Sequence, residues 1–162
     1  MLHHDATLAT AEVGQVCVVI WRGAVTKEPF ERQRSALAGV VERHPEGAGL
    51  LVVVETTAKP PDDELRRASA EMVKTHGKVL RCVACVVEGT GFIASINRSA
   101  ISAMLLLVGP KHTRVGVFAT VSEAASWVRR HVEIGSTDAF LGAVEHIRAE
   151  LSAPPGSGHA GA

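Results

Sequence analysis

Cysteine is scarce in this chain, net charge is absent and no apolar run is long. Cys17, Cys82 and Cys85 are the three thiols among 162 residues. That is an odd number in a chain too large to need disulfide staples, so a reducing compartment, the cytoplasm, is expected. Seventeen Lys and Arg are cancelled by seventeen Asp and Glu, which removes the electrostatic basis for a nucleic-acid partner. The longest apolar run, AISAMLLLVG, is interrupted by Ser102 and falls short of the roughly 18–20 residues that a membrane span needs. The opening MLHHDATLAT has neither the basic nor the apolar stretch of a signal peptide. No internal repeat occurs, and neither does the G-x-S-x-G nucleophile motif. No histidine pair four apart on a helix carries the carboxylate of a hydrolytic zinc site. No catalytic residue, cofactor or metal site is therefore assigned.

What is present is core material. Apolar residues make up 46% of the chain, enough for one domain of ordinary size. It is expected over residues 1–152, with SAPPGSGHAGA from Ser152 onward reading as a flexible tail over 153–162. Strand and helix signals alternate, as in an α/β fold. Extended segments near 6–11 and 16–22 flank Val-Gly-Gln and form an antiparallel hairpin. Thr26 then caps a helix whose stripe is Phe30, Leu37, Val40 and Val41, ending near His44-Pro45. GLLVVVE, 49–55, is a β-branched run suited to a strand covered on both faces.

Pro60-Pro61-Asp62-Asp63-Glu64 opens a second helix, with proline in the first turn and acids at the positive end of the dipole. Residues 79–88 read as another buried strand, 92–108 as an apolar helix and 114–118 as a short strand. Thr120-Val-Ser-Glu123 is a capping box for the next helix, and Phe140, Val144, Ile147 and Leu151 stripe the last. The fold class that results is α/β, with a mixed sheet of about five strands: an N-terminal antiparallel hairpin, the remainder largely parallel, and helices packed on it.

Arg81-Cys-Val-Ala-Cys85 has the C-x-x-C spacing of redox and zinc sites, but those sites need both thiols at one point. In an extended strand, residues three apart face opposite sides with Cα atoms about 10 Å apart, beyond the roughly 7 Å limit of a disulfide. The two cysteines therefore read as packing groups. Gly89-Thr90-Gly91, between a strand and a helix, formally opens G-x-G-x-x-A, and its backbone can receive an anion or ligand. The ribose-binding acid expected about 20 residues later is missing from LVGPKHTRV, 107–115, which excludes a nicotinamide fingerprint.

The 92–108 helix is apolar on more than one side, and in a two-layer domain each helix leaves a face outside. Such a helix is either deeply buried or part of an interface, and the favoured reading is an interface through Ile101, Met104, Leu105 and Val108. A homodimer is the first partner implied, together with an unknown protein partner. A small apolar or anionic ligand near Gly89–Gly91 and this helix is the alternative.

The succession VVIWRGAVT, GLLVVVE, VACVVEGTGF and VGVFATVSEAASWV, spanning residues 6–132, resembles STAS-like proteins of the SpoIIAA-like class. The resemblance implies a curved mixed sheet with helices on it, and a non-enzymatic regulatory or protein-interaction module. It also implies a phosphoacceptor in the loop leading into a helix, within a D-x-S-S/G-like stretch. Here that loop is Glu55-Thr-Thr-Ala-Lys-Pro-Pro61. Glu55 replaces the aspartate and the Ser-Gly pair is missing, which leaves Thr56 and Thr57 as the possible phosphoacceptors.

Overall fold

The computed structural model describes residues 3–90 and 112–152. Their strands form one mixed sheet in sequential order: β1 (His3–His4), β2 (Leu8–Val13), β3 (Val16–Trp21), β4 (Ala48–Val54), β5 (Leu80–Val87) and β6 (Arg114–Phe118). β1 pairs antiparallel with β2 and β2 with β3, whereas β3–β4, β4–β5 and β5–β6 are parallel. This is the expected mixed α/β sheet, extended by the two-residue β1.

The hairpin is tighter than its sequence suggested. Val13 pairs with Val16, so the turn is the two residues Gly14-Gln15 and Val13 belongs to the strand. Gly14 has φ +58°, and a Cβ there would lie 2.8 Å from the Glu133 carbonyl oxygen. Glycine is thus required twice, by the left-handed backbone and by the close approach.

Among the described residues four helices cover the sheet: α1 (Lys27–Arg43), α2 (Asp63–Thr75), α3 (Val121–Val128) and α4 (Thr137–Ser152). Alternation along the strands decides which face each one covers. Leu8, Cys17, Val19, Trp21 and Leu50 point toward Phe30, Leu37 and Val40 of α1 and Leu65, Met72 and Val73 of α2. Val18, Ile20, Leu51, Val53, Ala84 and Val86 point toward Ala124 and Val128 of α3 and Phe140, Val144 and Ile147 of α4. The domain therefore has three layers, helices on both faces of the sheet, and not the two assumed from the sequence.

All six residues of β3 are buried, as a strand covered on both faces requires, and each such aliphatic contributes about 1.5–3 kcal/mol. The start of α3 follows its signal, whereas Pro60 and Pro61, expected in the first turn of α2, precede its N-cap Asp62. Asp62 accepts from the Leu65 amide, and Thr120 with Glu123 forms the complete capping box. Thr26 is the N-cap of α1 but makes no side-chain capping bond. No helix among the described residues is long and apolar enough to cross a membrane.

Candidate functional site

Parallel register carries the last residue of each central strand to one edge of the sheet. Trp21 pairs with Val54 and Val54 with Val87. The ladder runs one residue further: the Glu55 amide donates to the Trp21 carbonyl at 2.9 Å, and the Glu88 amide to the Val54 carbonyl at 3.0 Å. Arg22, Glu55 and Glu88 consequently stand side by side at the carboxyl ends of β3, β4 and β5. By strand alternation they share the face of Ile20, Val53 and Val86, the face that α4 covers.

Arg148 of α4 completes the row. Arg22 donates to both oxygens of Glu55, from Nε at 2.6 Å and Nη2 at 3.0 Å. Arg148 donates to both oxygens of Glu88, from Nη1 at 3.1 Å and Nη2 at 2.7 Å. The pairs touch where Arg148 Nε lies 3.7 Å from Glu55 Oε1. Arg22 Nη1 also donates to Ser152 Oγ at 2.8 Å, tying the end of α4 to the same edge. Bidentate Arg–carboxylate pairs are directional as well as strong, so four ionised groups fix three strand ends and one helix relative to each other. Burial works against the charge on Arg148, and the surrounding carboxylates of Glu88, Glu145 and Glu55 outweigh it, holding its pKa above the ordinary value.

Above this row lies the predicted phosphoacceptor loop. Residues 55–58 form a turn closed by the Ala58 amide donating to the Glu55 carbonyl at 3.0 Å. Thr56 and Thr57 are both exposed. The Thr57 hydroxyl donates to the Arg22 carbonyl at 2.6 Å, and the Lys59 amide donates to the Gly23 carbonyl at 3.2 Å. The neighbouring turn begins at Glu88. Gly89 has φ +114°, a conformation open to glycine alone in practice, and Thr90 is exposed. The structure therefore brings Thr56 and Thr57 to the same sheet edge as Gly89 and Thr90. Gly91, with Ile101, Met104, Leu105 and Val108 of the expected interface, lies outside the described residues.

The thiols are placed as the extended-strand geometry requires. Cys82 packs in the core beneath α3 and α4, while Cys85 shares the parity of Val83, which faces α1 and α2. Burial pushes Cys17, Cys82 and Cys85 up to about 12, and all three are free. Among the described residues no group of three His, Cys, Asp or Glu could hold a metal ion.

Sequence reasoning passed over Arg22, Glu88 and Arg148 and named Glu55 only for what it replaced. A signal was present: VCVVIW, AGLLVVV and LRCVACVV are each followed at once by a charged residue. Three apolar strands ending in charge predict an ionic row once the strands are known to run parallel and in step. No protein-family model, curated protein or solved structure matches the chain.

Proposed function

We propose that the protein is a non-enzymatic, STAS-like regulatory module of the cytoplasm. It works by protein contact, through the carboxyl edge of its sheet and through self-association at residues 101–108. The observation that carries this reading is the closed Arg22–Glu55–Arg148–Glu88 row beneath the exposed 55–58 turn. The charged side chains that acid–base chemistry would need there are bound to one another. What faces outward is a pre-organised surface of threonine hydroxyls and backbone. In open α/β sheets the carboxyl ends of the strands are the usual recognition edge, and rigidity lowers the entropic cost of binding. Free, buried thiols support a reducing compartment.

The experiment is site-specific photo-crosslinking in the native host. A benzophenone amino acid at Thr56 or Thr90 is expected to yield a discrete adduct with another protein, whereas one at Glu46, at the other end of β4, is expected to yield none. Equal labelling at both ends, or none at either, contradicts the reading.

A second reading is a binding domain for a lipid-like or anionic small molecule near Gly89–Gly91. The observation that favours it is the positive φ of Gly89 immediately after a central strand, where backbone groups can approach a ligand closely. Native mass spectrometry of freshly purified protein is expected to show added ligand mass on this reading, and a clean apo mass counts against it.

A further inference from the structure

Arginine side chains among the described residues are engaged, with two exceptions. The others each donate to a carboxylate, a carbonyl or a hydroxyl. Arg114 and Arg130 are both exposed, and neither guanidinium has a hydrogen bond or ion pair among the described residues. They belong to different elements, β6 and the turn after α3, yet both act on one ring. Burial, and then the positive charges of Arg130 and Arg114, hold the pKa of His131 below its ordinary value. Like charge is thus gathered around a neutral imidazole. An anion between the guanidiniums would relieve that repulsion.

Apolar surface adjoins the charge. The His131 ring meets Trp127 edge-on with centroids 4.5 Å apart, and Trp127 meets Phe118 at 5.4 Å. Strand alternation puts Arg114, Gly116 and Phe118 on one side of β6. Gly116 makes room for the rings, since a Cβ there would lie 2.6 Å from Phe118 Cζ and 3.4 Å from the Trp127 indole. All three rings are half-buried, in contrast to Trp21, which is buried with its indole bonded to Gln33. The Trp127 indole N–H has no hydrogen-bond partner among the described residues.

Part of this stacking answers a local need. β6 is the last strand in the sheet order, and the Phe118 ring covers the backbone of an edge glycine. That need does not account for two unpaired arginines, nor for the exposed remainder of Trp127. Tryptophan and arginine are the residues most enriched where protein interfaces carry their binding energy. Nucleic acid is a poorer fit. Its interfaces neutralise many phosphates with a strongly positive surface, whereas this one offers two unpaired guanidiniums on a chain of zero formal net charge.

We infer that the Arg114–Arg130 surface binds an acidic segment of a partner protein, its carboxylates on the two guanidiniums and an aromatic side chain between them on Trp127 and Phe118. The inference rests on the protein-contact reading for the class of partner. It shares no residue with the carboxyl-edge row or with residues 101–108, so a failure at Thr56 and Thr90 and a failure here are read separately.

The test is an NMR titration of the full chain, resolved at amides and indoles, with the end-blocked peptide Glu-Glu-Phe-Glu-Glu. Its lysine counterpart and an oligothymidylate of about eight nucleotides are the comparisons. The acidic peptide is expected to shift the Trp127 indole and the amides of Arg114, Gly116 and His131 saturably, and to leave the Trp21 indole in place. Arg114→Gln and Arg130→Gln are each expected to weaken binding about two- to fivefold, and together about tenfold. The melting temperature should not change, because neither side chain makes an internal bond. Replacing the peptide's phenylalanine by alanine is expected to weaken binding about two- to tenfold. Absence of a saturable shift at millimolar peptide overturns the proposal. So does equal binding of the lysine peptide, unchanged affinity in the double arginine variant, or tighter binding of the oligothymidylate, which would make the surface a nucleic-acid site.

Discussion

At the level of single residues, environment decides chemistry more than identity does. Cys82 and Cys85 have the spacing of a dithiol site, but a strand separates them onto opposite sheet faces, and burial pushes both up to about 12. A thiol reagent at pH 8 is expected to leave all three cysteines of the native protein unmodified and to titrate three per chain after denaturation. Rapid modification of the native protein would contradict this placement. Glu12 shows the opposite effect. The hydrogen bond from Arg43 holds its carboxyl below the ordinary value of 4.5, with burial opposing and His44 adding to the shift.

Because the folded-state pKa of Glu12 is the lower one, its stabilisation is complete above the unfolded value and is lost as pH falls through the folded one. Glu12→Gln is therefore expected to be less stable than the parent at pH 7. The two proteins should converge as pH falls to about 2, in denaturant melts repeated across that range. The packing role of the thiols was legible in the sequence, since β-branched neighbours specified a strand and a strand cannot bring such cysteines together. The ionic row was not legible, because Arg22, Glu55, Glu88 and Arg148 become neighbours only through register and helix docking.

Elements follow their local signals closely where those signals are chemical. The Thr120-x-x-Glu123 box stands where the sequence places it, because a cap is decided by groups within one turn. Thr120→Ala is expected to cost about 1 kcal/mol. Gly14→Ala is expected to cost about 1–2 kcal/mol for the left-handed backbone alone, and more because the new methyl meets the Glu133 carbonyl. Both are read from equilibrium unfolding. The hairpin boundary was missed by two residues since Val13 is apolar and adjoins Gly14, and only pairing with Val16 assigns it to the strand. Between elements, Glu88→Ala leaves Arg148 half-buried without its bidentate partner, at an expected cost of about 1.5–3 kcal/mol. Replacing both partners, with Glu88→Leu and Arg148→Met, is expected to recover much of that loss.

For the whole molecule, the alternation of strand and helix signals specified a mixed α/β sheet, and the sheet is present in that order. Layering was harder to read, since the sequence shows which helices are amphipathic and not which sheet face each covers. The result is a scaffold with two separate surfaces, a charged and closed carboxyl edge and a half-buried aromatic cluster beside Arg114 and Arg130. The central claim is that the protein acts by protein contact, beginning with a second copy of itself. Light scattering coupled to size exclusion tests it without knowledge of any other partner. The account predicts twice the 17.1 kDa chain mass at working concentration and a monomer for Leu105→Glu. A 17.1 kDa species at every concentration, unchanged by that substitution, would contradict it.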